Sequence, residues 1–135
     1  MSVIVTDAGF APDDWPDGWA ETPERARGLH LAADADPEAL RPHLPTLDAI
    51  RIHFAAFSDG RGFTLASRLR RMGFAGRLRA EGHVIADQYA MARRSGFDEV
   101  EIDDALAARQ PEEHWRARAN WRAHDYRARL RGRAA

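Results

Sequence analysis

Neither cysteine nor lysine occurs among the 135 residues. Without thiols the chain forms no disulfide, no zinc ribbon, no cysteine-held iron–sulfur cluster and no thiol nucleophile. Without an amine side chain it lacks Schiff-base chemistry and the lysine of a phosphate-binding P-loop. All 20 basic side chains are therefore arginine, the better fork for carboxylate, phosphate or sulfur oxyanions. Long apolar runs are missing too. No stretch approaches the roughly 18 residues of a membrane span. The opening MSVIVTDAG has no basic segment ahead of an apolar one, as a secretory leader would. These absences lead to the expectation of a cytoplasmic protein with no membrane contact.

What is present is 44% hydrophobic and 30% charged, the balance of a globular chain, and its length suits one domain over 1–135. Net charge is −1, but it is unevenly spread. Residues 1–50 hold three Arg against ten acidic side chains, whereas 109–135 hold eight Arg against three. Residues 1–28 read as an acidic, loop-rich segment. Within it APDDWPDGWAETPE, 11–24, carries three Pro and five acids, with Trp15 and Trp19 as anchors.

From residue 29 the pattern becomes regular. Strands are expected at 29–33, 50–57, 77–80 and 99–102, and Val3-Ile4-Val5 is a further candidate. Between them, Asp36-Pro37 is an N-cap followed by proline at the first helical position, opening a helix to about Leu44. Leu65, Leu69 and Met72 form one helical stripe, and Val84, Ile85, Gln88, Met91 and Ala92 mark another. Residues 112–131 are expected as one basic C-terminal helix. Alternation of this kind over 29–111 implies parallel strands joined by right-handed crossovers. The strands themselves alternate: His30, Arg51, His53, Arg77, Arg79, Glu99 and Glu101 fall on one face. Helices then cover the other. The expected fold is an α/β, half-barrel-like (βα)4 sheet, with a flavodoxin-like open sheet as the alternative. The polar face is solvated, covered by the C-terminal helix, or used as an interface.

Ligands of such sheets bind in loops beyond the carboxyl ends of the strands. Asp59-Gly60-Arg61-Gly62 is the most distinctive of these loops, with two glycines for unusual backbone angles and a guanidinium ahead of a helix. Arg79, Asp87 and Gln88 form a second group, so all seven are candidate anion-binding residues; the bland reading is common turn chemistry and loop ion pairs. The six His show no ligand spacing with one another or with carboxylates, and no metal site is expected. The Arg-rich end, with Trp115, Trp121 and Tyr126, suits a docking surface better than a nucleic-acid surface. Trp115 and Trp121 are about 240° apart on a helix, so one should pack inward and the other face a partner, in a homodimer or a hetero-complex. No dinucleotide fingerprint, nucleophile elbow or triad spacing is visible, and no cofactor is expected.

The segment from Phe54 to Asp98 adds a resemblance. Asp59-Gly60-Arg61-Gly62, Leu69-Arg70, Leu78-Arg79-Ala80, Gly82, Val84, Asp87-Gln88 and Gly96-Phe97-Asp98 together resemble the bacterial domain of unknown function 934 family. The resemblance implies a place in sulfite reduction, as an oxidoreductase. Joined to a chain without redox motifs, it leads to the expectation of an accessory protein of assimilatory sulfite reduction that binds an anion or the sulfite reductase. The alternative is a small anion-handling enzyme or oxidoreductase with its site at the carboxyl ends of the strands.

Overall fold

Residues 2–124 are described by the structure, a computed structural model. A six-stranded sheet runs through it, formed by β1 (Ser2–Thr6), β2 (Gly9–Ala11), β3 (Gly28–Ala32), β4 (Ala49–Phe54), β5 (Arg77–Gly82) and β6 (Glu99–Asp103), in the order β2-β1-β6-β5-β4-β3. Strands β3 to β6 pair in parallel, as their spacing predicts. The Val3-Ile4-Val5 segment instead runs antiparallel to β6 and turns back as the β1–β2 hairpin, with Gly9 at φ +112. The fold is mixed α/β with a mostly parallel sheet.

Period-two alternation decides where each side chain goes. Leu29, Leu31, Ile50, Ile52, Phe54, Leu78, Ala80, Val100 and Ile102 enter one hydrophobic cluster. Against them pack α1 (Arg61–Arg71) through Phe63, Leu65, Ala66 and Leu69, and α2 (Tyr89–Ser95) through Tyr89 and Ala92. Gly62 is glycine for a packing reason: a Cβ there would sit 2.3 Å from the Phe54 ring.

Three local expectations change. The helix from Asp36 forms as a 3₁₀ helix, Pro37–Thr46, capped by Asp36 Oδ1 accepting from Glu38 N at 3.0 Å. Pro42 and Pro45 lie inside it and cannot donate to an α-helical ladder. The strand expected to reach Phe57 ends at Phe54, opposite Gly82, the last residue of β5. The basic helix expected over 112–131 is interrupted. Following α3 (Asp104–Arg109), α4 is only Glu112–Arg116, and a separate 3₁₀ turn spans Trp121–His124; residues 125–131 lie outside the described residues. The break lets both indoles pack on their own chain. Trp115 is 1% exposed and donates from Nε1 to Gln110 O at 2.8 Å. Trp121 lies beneath Arg93, 4.8 Å from ring centroid to guanidinium, with its Nε1 3.3 Å from Asp7.

Among the described residues, the polar face is covered by the chain's own N-terminal segment, and α4 does not lie over it. Ala20 joins the edge of β3 through Ala20 N to Gly28 O and His30 N to Ala20 O, both 2.8 Å. From there the acidic stretch lies over the sheet as a strap, with Trp15 and Trp19 in tilted contact at 5.4 Å.

Candidate functional site

The side chains of the polar face form a continuous ionic lattice. Parallel register sets Arg51 beside Arg79, Arg79 beside Glu99, and Glu81 beside both His53 and Glu101. Arg79 is fully buried and spends its fork on three carboxylates: Nε to Glu99 at 2.5 Å, one terminal nitrogen to Glu101 at 2.7 Å, and both terminal nitrogens to Asp13 at 3.0 Å. Burial works against its charge, and Asp13, Glu99 and Glu101 outweigh it, holding the guanidinium above its ordinary pKa. Arg77 pairs with Glu99 and with Asp14 of the strap. Arg51 donates from Nε to His30 Nδ1 at 2.9 Å and from a terminal nitrogen to Glu101 at 3.2 Å. The Trp19 ring lies over both Arg51 and Arg79, 4.8 and 5.2 Å from their guanidinium carbons. Among the described residues, no buried side-chain polar atom is left without a partner.

The seven residues singled out from the sequence do not meet at one point. Arg79 belongs to the lattice under the strap. Asp87 holds Arg118 at 2.7 Å, and Gln88 caps the entry to α2 by accepting from Ile85 N at 3.0 Å. Asp59 accepts from the Arg61 backbone N at 3.1 Å and from its guanidinium Nε and a terminal nitrogen at 3.0 Å. The Arg61 guanidinium beside it holds the Asp59 carboxyl below its usual range. Gly60 takes an ordinary right-handed conformation, φ −76, so the loop is no glycine nest. The Asp59 carboxylate itself sits where an external anion would meet Arg61. Arg61 remains 66% exposed and faces a groove of about 300 Å³ shared with Asp34, Thr64 and Arg68, at the carboxyl ends of β3 and β4.

Sequence spacing alone misses one grouping. His30 from β3, His53 from β4 and Glu81 from β5 bring potential ligand atoms within 4.8 Å of one another. His53 Nδ1 lies 2.7 Å from Glu81 Oε2, and the two imidazole rings are 5.9 Å apart. Burial, then the nearby Arg51 charge, lowers the His30 pKa. His53 and Glu81 also line a cavity of about 160 Å³ with His83, Glu101, Asp103 and Arg109. The signal was present in the polar-face alternation; what it lacked was the register, which puts Glu81 opposite His53.

These features define a mostly parallel α/β domain with an ionic sheet face and two polar openings at its carboxyl edge. The chain belongs to the family described as bacterial proteins of unknown function (DUF934), whose model matches residues 28–135. That match takes in β3 to β6 and begins after the strap. A search of curated proteins and a search of solved structures each found no match.

Proposed function

We propose that this protein is an accessory component of assimilatory sulfite reduction that binds an anionic group at Arg61, either a sulfur oxyanion or an acidic group of the sulfite reductase. The observation that carries the binding site is the exposed Arg61 guanidinium beside Arg68 and Thr64, over a groove at the carboxyl ends of two parallel strands. The place in sulfite reduction rests on the family resemblance. Asp59 is a built-in competitor there, holding the fork in binding geometry until a stronger anion replaces it. The consecutive order β3-β4-β5-β6, with helices against one face, supports the half-barrel-like (βα)4 reading over a flavodoxin-like sheet, whose strand order is not consecutive.

Two measurements test this. A host lacking the gene should grow on sulfide or cysteine and grow poorly on sulfate, and Arg61→Ala should fail to restore growth on sulfate. In vitro, sulfite binding should weaken in Arg61→Ala and tighten in Asp59→Asn. Equal growth on sulfate with and without the gene removes the sulfite-reduction reading.

A second reading, a small anion-handling enzyme, is favoured by one observation. The His53–Glu81 pair at 2.7 Å is the geometry of an oriented general base, and Arg109 lines the same cavity. It parts from the first reading by location: His53→Ala would then abolish complementation while leaving sulfite binding at Arg61 intact.

A further inference from the structure

Eight ionisable side chains of β3 to β6 lie on the polar face, and three of them bring metal-ligating atoms together. His30, His53 and Glu81 offer two imidazole nitrogens and one carboxylate, from three adjacent parallel strands, within a 4.8 Å span. We propose that these three residues bind a divalent first-row metal ion, zinc(II) being the reference case, with its open coordination positions facing the cavity at the carboxyl ends of β4 to β6.

The donor set is the first argument. Two imidazoles and a carboxylate suit zinc, iron, cobalt or nickel, and a chain without thiols has no softer competitor. A site of three protein ligands leaves room for water or a substrate atom, unlike the closed four-ligand sites that only hold a fold together. Here the room exists, because His53 and Glu81 line a cavity of about 160 Å³. Position is the second argument. His53 and Glu81 each lie one residue before the end of their strand and His30 in the middle of β3, all on side chains fixed by sheet register and not on a loop.

Distances say what must change on binding. Donors at zinc bond lengths in a tetrahedral site stand about 3.4 Å apart. The His53 side chain is 41% exposed and free to turn by the remaining ångström or so. Arg51 is the cation beside the site. Its Nε donates to His30 Nδ1 at 2.9 Å, so a guanidinium stands against the imidazole that a metal would share. Arg51 also holds Glu101 at 3.2 Å, and it can keep that partner when it releases His30. The site is thus one in which a resident side-chain cation yields to a metal cation. It is separate from the Arg61 groove and stands or falls without it.

The test uses the untagged full chain, titrated with cobalt(II) alone and followed by its visible d–d absorption, with zinc(II) as competitor. One equivalent should give a saturable band that zinc removes. His30→Ala and His53→Ala should each weaken binding roughly 100-fold or more, and Glu81→Gln at least about tenfold. His43→Ala, on the distant 3₁₀ helix, should change nothing. Arg51→Gln should tighten binding, since it removes the competing cation; a merely structural lattice would predict no gain. Far-UV circular dichroism checks that each variant is folded. Absence of a saturable band in the wild-type chain at 100-fold molar excess of cobalt overturns the proposal. So does an equal loss in His43→Ala and His53→Ala, or weaker binding in a folded Arg51→Gln.

Discussion

The two faces of β3 to β6 are made by the same backbone and closed by opposite means. On one face Ile50, Ile52, Phe54 and Leu78 meet Phe63, Leu65 and Leu69 of α1 and exclude water by apolar contact. On the other, Arg51, Arg77, Arg79, Glu99 and Glu101 are joined by charge, and a strap adds the carboxylates of Asp13 and Asp14 and the ring of Trp19. The apolar face tolerates imperfect partners, because hydrophobic attraction has no direction. The ionic face does not. Arg79 is fully buried, and Glu99 and Glu101 beside it were removed from water on the condition that guanidinium groups are there.

The sharpest way to break this comparison is to delete the centre of the ionic face. Arg79→Met leaves buried Glu99 to Arg77 alone, Glu101 to Arg51 alone, and Asp13 without its guanidinium. We expect a loss of about 3–5 kcal/mol in urea unfolding, comparable to a large core truncation. Replacing the three together, Arg79→Met with Glu99→Leu and Glu101→Leu, should recover only part of that loss, because Arg77 and Arg51 then lose Glu99 and Glu101. A single variant within 1 kcal/mol of wild type would mean that water or the strap rearranges to compensate.

The matching change on the apolar face is smaller. Gly62→Ala places a Cβ 2.3 Å from the Phe54 ring, and either α1 or Phe54 must give way. A loss of about 1–3 kcal/mol is expected, with a lower urea midpoint and an unchanged slope. It also bears on the proposed anion site, since α1 begins at Arg61: if sulfite binds there, a displaced α1 should weaken that binding.

How far these faces could be read from the sequence depended on whether the signal was local. Alternation in Ile50-Arg51-Ile52-His53-Phe54 marked both faces of β4, and the membership of the polar face followed from it. What covered that face was not legible. Asp13 reaches Arg79 across 66 residues of chain, and no periodic pattern encodes such a contact. The same holds for the His30, His53 and Glu81 group, whose sequence separations carry no ligand spacing. Gly60 and Gly62 were legible as unusual, but for the wrong cause. One is an ordinary helix entry and the other makes room for Phe54. The break after α4 was invisible because the residues around it are good helix formers; tertiary packing of two indoles outweighs their propensity.

Between the strap and the lattice, Trp19 is the apolar contribution. Its ring lies over two guanidinium groups, one fully buried, and each contact is worth about 0.5–2 kcal/mol. Trp19→Ala should therefore cost about 1–2 kcal/mol, and Trp19→Phe less. Because the ring also shields the lattice from water, the loss should grow with added salt in the alanine variant. If Trp19→Ala and wild type respond to salt alike, the strap is a passive cover.

The smallest expected effect separates the strap from the apolar face by pH. Asp13 has its pKa lowered by the hydrogen bond from Arg79, with the Arg79 and Arg77 charges adding to it, and Asp14 is lowered by Arg77. A carboxylate whose folded pKa lies below its unfolded one contributes stability that is present above the unfolded value, near 4, and lost as pH falls through the folded one. Nothing should therefore change between pH 8 and 5 on this account. Below about pH 4 the strap should lose its hold on Arg77 and Arg79, while the contacts of Phe54, Phe63 and Leu69 have no charge to lose. Asp13 is about a third exposed, so its share is at most about 1 kcal/mol after solvent screening. The measurement is the acid dependence of tryptophan fluorescence, in wild type and in Asp13→Asn. Trp15 and Trp19 ride on the strap, whereas Trp115 is sealed against Tyr89 on the helical side. A low-pH step present in wild type and missing in Asp13→Asn assigns the transition to the strap. An identical step in both would mean that Asp13 does not carry the transition, and Asp14, the other strap carboxylate lowered by an arginine, becomes the next variant to make.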